Sequence, residues 1–456
     1  MRQTKFALAL LTAAVLAACG GTSPSGGDQT QKLSFTQQVS FGDSLSDVGT
    51  YAVGAVKTAG GGKFTINGDG TAKNPELNGK IWVEFLAAEL KLPAPCAAQT
   101  GLEGDATRGF SVPISNNLNC FNYAQGGSRV TNPVGPGNKL TGSPIGEMTV
   151  PLVTQVANHL SRTGNKFSGT ELVTVLSGGN DVLMALSTLQ AQATAAGTAA
   201  GAQTFATSLT AQLAAGATNP QTAAQAIGAA IMAESARPGN TSQTIVAAAV
   251  GAAAVQPGNA AVAQASVYGP MVAKAQADAG AAGAKAGADF LTANSGKLVQ
   301  DLGAAGAQMA TLVKNEIVGK GAKYVVVANL PDVASTPAAK SKTADIQALT
   351  AAMVNAFNTQ LKAGLGADDA RILYVDLYTV SNDQVKNPAP YGLTNTSTPA
   401  CGPNPLGTTS LICTNSNTVA GDVSHYMFAD DIHPTPFENN LVARYVLKEM
   451  AVKGWL

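Results

Sequence analysis

The sequence predicts an α/β fold in which a parallel β-sheet lies between two layers of helices. Short apolar runs rich in β-branched residues recur along the chain, as is typical of strands buried on both faces. Helical stretches alternate with these runs, and strands separated by helices favour a parallel sheet with helices on both faces. We therefore expect a three-layer α/β/α sandwich with about five parallel strands, interrupted by a helical Ala/Gly-rich insertion.

The predicted strands are short and end in small or acidic residues. In chain order they are QQVSF at 37–41, CFNYA at 120–124, LVTVL at 172–176, YVVVANL at 324–330 and ILYVDL at 372–377. The predicted helices cover 81–90, 150–161, 297–319, 345–366 and 438–452. In a parallel α/β sheet the functional loops lie beyond the carboxyl ends of the strands. The residues that follow these runs are therefore the first candidates for a site.

One segment interrupts this alternation between the third and fourth predicted strands. From 188 to 295 the chain consists mainly of Ala, Gly, Gln and Thr, with few large apolar residues. Alanine favours helix, whereas frequent glycine and scarce large apolar residues oppose a strong independent core. We interpret the segment as an insertion of close-packed small-residue helices, with a partly disordered arm as the alternative. It divides the folded domain into residues 36–187 and 296–456.

The charge balance argues against one class of partner. Charged residues make up 12% of the 456 residues, and 28 Lys and Arg balance 28 Asp and Glu. Binding to nucleic acid depends on Lys and Arg that neutralise phosphates, so we expect no nucleic-acid partner. A weakly charged chain instead fits an exported protein that handles neutral or apolar molecules.

The first 35 residues have the pattern of an export signal followed by a tether. Residues 1–18 begin with Arg2 and Lys5 and continue in an apolar run too short to span a bilayer. The run ends in LAAC, which resembles a bacterial lipoprotein signal with Cys19 as the lipid attachment site. Residues 19–35 then form a flexible tether. We expect an exported protein anchored to the outer membrane, on its periplasmic or surface face; an ordinary secretory signal is the alternative.

The four remaining cysteines fit an oxidising compartment. Cys96, Cys120, Cys401 and Cys413 allow three pairings from sequence alone. Pairing of Cys96 with Cys120 and of Cys401 with Cys413 is the simplest, because each disulfide closes a loop rich in small and polar residues. With only three His and no C-x-x-C spacing, we expect neither a metal site nor a cofactor.

The first predicted strand runs directly into the motif FGDSLSD. This places Ser44 at the end of the sheet, where parallel α/β folds carry their sites. Ser44 could instead cap the following turn or helix, which is a common use of serine. A serine hydroxyl becomes a nucleophile only with a base beside it, an acid that orients the base and donors for the oxyanion.

The segment MFADDIHPTP near the end of the chain supplies a base and an acid. Asp430 stands three residues before His433, in a polar turn stiffened by prolines. Such a turn can fold the carboxylate back onto Nδ1 of the ring and leave Nε2 to accept the serine proton. Of the other histidines, His159 lies in a helical pattern and His425 has no matched acid. His433 is therefore the candidate base.

Two short motifs that follow predicted strands supply candidate oxyanion donors. NYAQGGSR offers Gly126 and Gly127, where a bare backbone N–H can approach a ligand closely. LSGGND offers Asn180, whose amide remains a donor at any pH. Each motif alone is explained by turn chemistry, with glycine for positive φ and Asn-Asp for a helix start. Their common position after strand ends, together with Ser44 and His433, indicates one site.

With these motifs the chain resembles the GDSL or SGNH hydrolase family of esterases and lipases. The matching blocks are FGDSLSD, NYAQGG, GGND and DDIHPT, and VVVANLPDVASTP resembles a further family segment. The resemblance implies a flavodoxin-like SGNH hydrolase fold. It also implies roles for five residues: nucleophile Ser44, base His433, orienting acid Asp430, and an oxyanion hole of Ser44, Gly127 and Asn180. Gly126 stays an alternative to Gly127, and Asp431 a weaker alternative to Asp430.

The expected function is hydrolysis of carboxylic esters by an esterase, lipase or phospholipase-like enzyme that forms an acyl-serine. The expected partners are an ester or lipid substrate and a membrane reached through the N-terminal anchor, with the insertion as a conceivable apolar cover. Polysaccharide O-deacetylation is the alternative within the family, although its open aromatic-lined groove fits poorly with 5% aromatic residues. The alternative from another class is a surface lipoprotein that only binds or scaffolds.

Overall fold

A computed structural model describes residues 33–68, 77–367 and 369–456. The predicted signal 1–18, the lipid-attachment candidate Cys19 and most of the tether 19–35 lie outside the described residues. The strands are β1 Gln38–Gly42, β2 Gln99–Glu103, β3 Ser111–Asn116, β4 Leu172–Leu176, β5 Tyr324–Ala328 and β6 Ile372–Val375. The helices are α1 Gly54–Thr58, α2 Trp82–Glu89, α3 Leu152–Arg162, α4 Gly179–Ala214, α5 Pro220–Ser235, α6 Ser242–Ala254, α7 Ala265–Leu312, α8 Pro337–Lys340, α9 Ala344–Leu365, α10 Leu377–Lys386 and α11 Pro436–Val452.

The central sheet consists of four parallel strands. β1 pairs with β4, β4 with β5 and β5 with β6, and Val175 lies between Phe41 and Val327 in register. β1 and β4 are buried at every position, as expected for strands covered on both faces.

The predicted strand at 120–124 is wrong in detail. In this segment only Asn122 pairs, through isolated parallel bridges to Ser40 and to Ala97, and the N–H of Tyr123 donates to the Ser40 carbonyl at 2.7 Å. The side-chain amide of Asn122 also donates to the Ser46 carbonyl, in the loop after β1, at 2.8 Å. The segment still lies beside β1. Counted with it, the order is 120–124, β1, β4, β5, β6, which is flavodoxin-like.

Alternate side chains of β4, β5 and β6 enter two separate cores. In β5, Val325 and Val327 pack on one face with α3, α9 and the end of α7, whereas Val326 and Ala328 pack on the other with α2 and α11. Burial of apolar side chains on both faces stabilises the sheet between its helices. The three-layer α/β/α fold predicted from the sequence is therefore confirmed.

The Ala/Gly-rich segment forms helices α4 to α7. α4 has 36 residues and α7 has 48, so both run beyond the limits 188 and 295 into the domain. The two long helices meet through glycines, since a Cβ on Gly197 would lie 2.7 Å from the carbonyl oxygen of Gly283. Farther from the sheet, α5 and α6 join the distal parts of the two long helices in a core that includes Leu213 and Ile227.

Two disulfides join Cys96 to Cys120 and Cys401 to Cys413. This is the simplest of the three pairings that the sequence allows. In the part of the chain that the structure describes, no helix combines the length and the hydrophobicity needed to cross a bilayer.

Candidate active site

Ser44 lies in the loop that follows β1. A Cβ on Gly42 would lie 2.2 Å from the carbonyl oxygen of Leu176, so glycine is required where β1 ends against β4. The Gln155 side chain binds both the N–H and the carbonyl of Gly42, each at 2.8 Å. These contacts fix the direction of the loop. Ser44 is 7% exposed and lines a cavity beyond the strand ends.

His433 meets Ser44 at this end of the sheet. Its Nε2 lies 2.9 Å from the Oγ of Ser44, and its Nδ1 lies 2.8 Å from Oδ2 of Asp430. The ring of Phe64 packs against the imidazole, with 4.9 Å between the ring centroids. The structure thus joins serine, histidine and aspartate in one chain of hydrogen bonds.

Backbone donors hold the Asp430 carboxylate. The N–H groups of Ile432 and His433 donate to Oδ1 at 2.9 and 2.7 Å, and that of Ser410 donates to Oδ2 at 2.7 Å. Burial by itself raises the pKa of the Asp430 carboxyl. The charge of His433 and the hydrogen bonds from His433 and Ser410 outweigh burial and hold this pKa well below its ordinary value. Asp431 is exposed to solvent.

Three groups with spare hydrogen-bond donors line the same cavity. Neither the N–H of Ser44 nor that of Gly127 finds an acceptor among the residues described. Nδ2 of Asn180 donates to the Ser128 carbonyl at 2.8 Å, which leaves its second hydrogen for another acceptor. The site therefore holds the donors that an oxyanion needs.

The two adjacent glycines differ in what their N–H groups contact. The N–H of Gly126 donates to the buried carboxylate of Asp47 at 2.9 Å, so it already has an acceptor. Gly127 has a φ of +73°, and a Cβ there would lie 2.1 Å from the carbonyl oxygen of Pro136. Only glycine fits this position, and its backbone lines the cavity.

The start of α4 positions Asn180 against the glycine loop. Asp181, the next residue, pairs with Nε of Arg129 at 3.0 Å and accepts the N–H of Val130 at 3.0 Å. These contacts tie the two segments that carry the candidate oxyanion donors to each other.

The chain matches one protein family over most of its length. The model of the GDSL-like lipase/acylhydrolase family matches residues 39–234 and residues 207–446. The chain belongs to this family. The matched residues contain all four motifs on which the resemblance rests.

Individual relatives resemble this GDSL family member over short stretches. The anther-specific proline-rich protein APG of Arabidopsis thaliana is 26% identical over 141 residues, which are 29% of this chain and 26% of that protein. A GDSL esterase/lipase of the same plant is 34% identical over 80 residues, 18% of this chain and 22% of that protein. Lipase 1 of Photorhabdus luminescens is 30% identical over 83 residues, 18% of this chain and 12% of that protein. The chain spans only a small part of these relatives, yet they agree with a hydrolase of the esterase/lipase type.

The site of this GDSL family member lies in a cavity of about 290 Å³. Ligand pockets usually begin at about 300 Å³. Much of the cavity wall comes from α10, α11, the segment after β5 and the loop before His433, and most of this part is apolar. The apolar side chains there are Leu330, Val333, Leu377, Val380, Val385, Met427, Phe428 and Val442. Such a wall suits an apolar group of a substrate.

The insertion 188–295 contributes no side chain to this wall. Leu183, near the start of α4, lines the cavity, but no residue from 184 to 329 does. The insertion therefore does not form the apolar cover that the sequence suggested.

Four buried acids around the cavity were missed in the sequence. Burial raises the pKa of Asp43 to about 7, that of Asp47 to about 6, and those of Glu147 and Glu438 to about 8. Asp43 and Asp47 belong to FGDSLSD, so the motif could have indicated them. Glu147 and Glu438 stand in ordinary polar stretches, and only the packing of the folded chain buries them. Within the described ranges, no group of three or more His, Cys, Asp and Glu side chains is placed to hold a metal ion.

Proposed function

We propose that this protein hydrolyses carboxylic esters through an acyl-serine intermediate. The observation that carries the proposal is the chain of hydrogen bonds from Ser44 Oγ through His433 to Asp430, with distances of 2.9 and 2.8 Å. Ser44 acts as the nucleophile, because the imidazole takes its proton as the hydroxyl attacks. Asp430 stays ionised, orients the ring and stabilises the imidazolium that forms.

The reaction proceeds in two steps. Oγ of Ser44 attacks the ester carbonyl, its proton passes to Nε2 of His433, and the carbonyl oxygen becomes an oxyanion. The N–H groups of Ser44 and Gly127 and the amide of Asn180 donate to this oxyanion, and one such donor typically contributes about 100- to 1000-fold in rate. His433 then protonates the leaving alcohol. Water that loses a proton to the same ring attacks the acyl-serine and releases the acid.

The cavity supports an ester of an apolar acid as substrate. Its wall between α10 and α11 is lined by aliphatic side chains, which favours an acyl chain or a lipid. A polysaccharide deacetylase needs an open groove with aromatic side chains for sugar rings. This cavity contains Phe64, Trp82 and Phe428, but aliphatic side chains make up more of its wall. We therefore propose esterase or lipase activity in preference to deacetylation.

The decisive experiment is labelling of the purified protein with a fluorophosphonate, beside hydrolysis of 4-nitrophenyl esters from acetyl to palmitoyl. Wild type should label and turn over, whereas Ser44→Ala should do neither while it keeps its melting temperature. Absence of labelling and turnover in wild type would overturn the proposal and favour a binding protein.

A matched pair of histidine variants tests the base. His433→Ala should abolish turnover. His425→Ala should keep it, because the His425 ring stacks on Phe437 with 4.1 Å between centroids, away from Ser44. Equal effects of the two substitutions would contradict the assignment of His433.

We further propose that the protein is exported and anchored in a bacterial envelope through a lipid on Cys19. The LAAC pattern before the tether supports this. Cys19→Ala should move the protein from the detergent-extracted membrane fraction to the soluble fraction, and an unchanged distribution would rule the anchor out.

A further inference from the structure

Glu147 is a buried acid without a partner in the wall of the catalytic cavity. The residue is 6% exposed and lines the same cavity as Ser44, Gly127 and His433. Among the residues that the structure describes, no group donates a hydrogen bond to its carboxyl and no cation pairs with it. Buried polar groups are nearly always hydrogen-bonded, so a lone carboxyl that borders a cavity indicates a ligand contact.

Packing fixes this carboxyl next to the proposed oxyanion donor Gly127. A Cβ built on Gly127 would lie 3.2 Å from Oε2 of Glu147, and one built on Gly137 would lie 2.4 Å from the same atom. The side chain of Glu147 therefore fits only because positions 127 and 137 are both glycines.

The backbone around Glu147 is equally constrained. The N–H of Glu147 donates to the Gly137 carbonyl at 2.8 Å. The Asn138 amide donates to the Glu147 carbonyl at 3.4 Å and to Oγ1 of Thr149 at 2.8 Å. These hydrogen bonds fix the backbone from which the carboxyl projects.

The surroundings keep this carboxyl protonated at neutral pH. Burial raises the pKa of Glu147 to about 8, and the negative charge of Asp47 adds to the effect. Tyr51 stays a neutral phenol and donates to the Gly126 carbonyl at 2.7 Å. The other ionisable groups that line the cavity are Asp43, Asp332, His433 and Glu438. Arg129 and Asp181 pair with each other beside the glycine loop.

We propose that Glu147 contacts the substrate and donates a hydrogen bond from its protonated carboxyl to an ester oxygen beside Gly127. This inference rests on the proposed ester hydrolysis. An acid kept neutral by burial is a stronger donor than an amide, and it adds no negative charge where the ester oxygen becomes anionic. Loss of its proton would replace a donor with a negative charge next to the oxyanion, and acylation would slow.

The experiment compares pH profiles of kcat/KM for 4-nitrophenyl butyrate from about pH 6 to about pH 10. Wild type should lose activity above a pH near the Glu147 pKa of about 8. Glu147→Gln keeps a donor but cannot ionise, so it should retain activity at neutral pH and show no alkaline loss. Glu147→Leu has no donor and cannot ionise, so kcat/KM should fall by about tenfold or more at neutral pH and show no alkaline loss.

Two further variants serve as controls. Glu103→Gln removes an exposed acid that pairs with Lys139 outside the cavity, and it should keep the wild-type profile. Glu438→Gln removes the other cavity acid whose pKa is raised to about 8, and it should keep the alkaline loss. Disappearance of that loss in Glu438→Gln instead of Glu147→Gln would overturn the inference.

Fluorophosphonate labelling of Ser44 separates the two proposals. If wild type neither labels nor turns over, ester hydrolysis itself is wrong. If wild type labels and turns over but Glu147→Gln keeps both its rate and its alkaline loss, only the role of Glu147 is wrong. Melting curves show whether Glu147→Leu folds, and Glu147→Gln decides the question if it does not.

Discussion

Ser44 and His433 are 389 positions apart in sequence, yet 2.9 Å separates Oγ of one from Nε2 of the other. Trp82, the first residue of α2, connects the loop of Ser44 to the first turn of α11, which follows His433. Its indole N–H donates to Oγ of Ser46 at 3.1 Å, and its backbone N–H donates to Oδ1 of Asn439 at 3.0 Å. Closure of the site therefore depends on packing of α2 against α11, which forms one of the two cores beside the sheet.

Asp430 should matter far more for catalysis than its neighbour Asp431. Asp430→Asn replaces a carboxylate that three backbone N–H groups and the imidazole contact, so the ring loses its orientation and its counter-charge. We expect kcat to fall by about 10³- to 10⁴-fold. The exposed Asp431→Asn should leave kcat unchanged, and steady-state kinetics of both variants provide the check. Similar rates for the two variants would remove Asp430 from the mechanism.

Asn180→Ala should lower kcat by about 100- to 1000-fold with a small change in KM, because its amide acts mainly on the developing oxyanion. Asn329→Ala is a matched control. Asn329 also follows a strand and is buried, but its amide binds Tyr374 and Asp376 at 2.9 and 2.8 Å. The control should lose thermal stability and keep kcat. A threefold or smaller effect of Asn180→Ala would mean that the amide is not an oxyanion donor.

The sequence could predict the central strands and the main site residues because both depend on local signals. Continuous apolar runs such as LVTVL need no context to be recognised as buried strands, and FGDSLSD and DDIHPT carry their chemistry in short motifs. The hairpin β2–β3 has no such signal, since QTGLE and SVPISN are polar and β3 is mostly exposed. Glu147 was missed for a different reason. Its burial depends on room left by Gly127 and Gly137, which is a property of the folded loops.

The two disulfides should differ in what their removal costs. Cys413 lies three residues after Ser410, whose N–H binds Asp430, and the N–H of Cys401 binds the carbonyl of Ala429 at 2.8 Å. Loss of Cys401–Cys413 by double alanine substitution should therefore lower kcat several-fold.

The Cys96–Cys120 pair provides the comparison. It spans 24 positions against 12, so its removal should cost more unfolding free energy, on the order of 3 kcal/mol, and leave kcat unchanged. Kinetics and denaturant unfolding of both double variants test the contrast. A larger kcat loss without Cys96–Cys120 would refute it.

Shortening the insertion should spare catalysis. No residue between 184 and 329 lines the cavity, and the distal helices have a core of their own. Replacement of 202–278 by a short Gly/Ser linker leaves the contact of Gly197 with Gly283 in place. We expect kcat/KM for short and long 4-nitrophenyl esters to stay within about threefold of wild type. This corresponds to a change of less than about 1 kcal/mol in activation free energy. A shifted chain-length optimum would instead show that the insertion contacts the substrate.

Glu438 should make the protein less stable as pH rises. Burial raises the pKa of its carboxyl to about 8, whereas in the unfolded chain it titrates near the ordinary 4.5. Between these values the folded state holds a proton that the unfolded state has lost, so the free energy of unfolding falls as pH increases. Each unit of pKa difference corresponds to about 1.4 kcal/mol.

Glu438→Gln keeps the hydrogen bond from Gln384 and should flatten this slope. In denaturant titrations at about pH 5 and about pH 8, the free energy of unfolding should fall by about 1–3 kcal/mol less in this variant than in wild type. Glu449→Gln, on the same helix and paired with Lys448, should leave the slope as it is. An equal slope in wild type and Glu438→Gln would mean that Glu438 is already ionised in the folded protein.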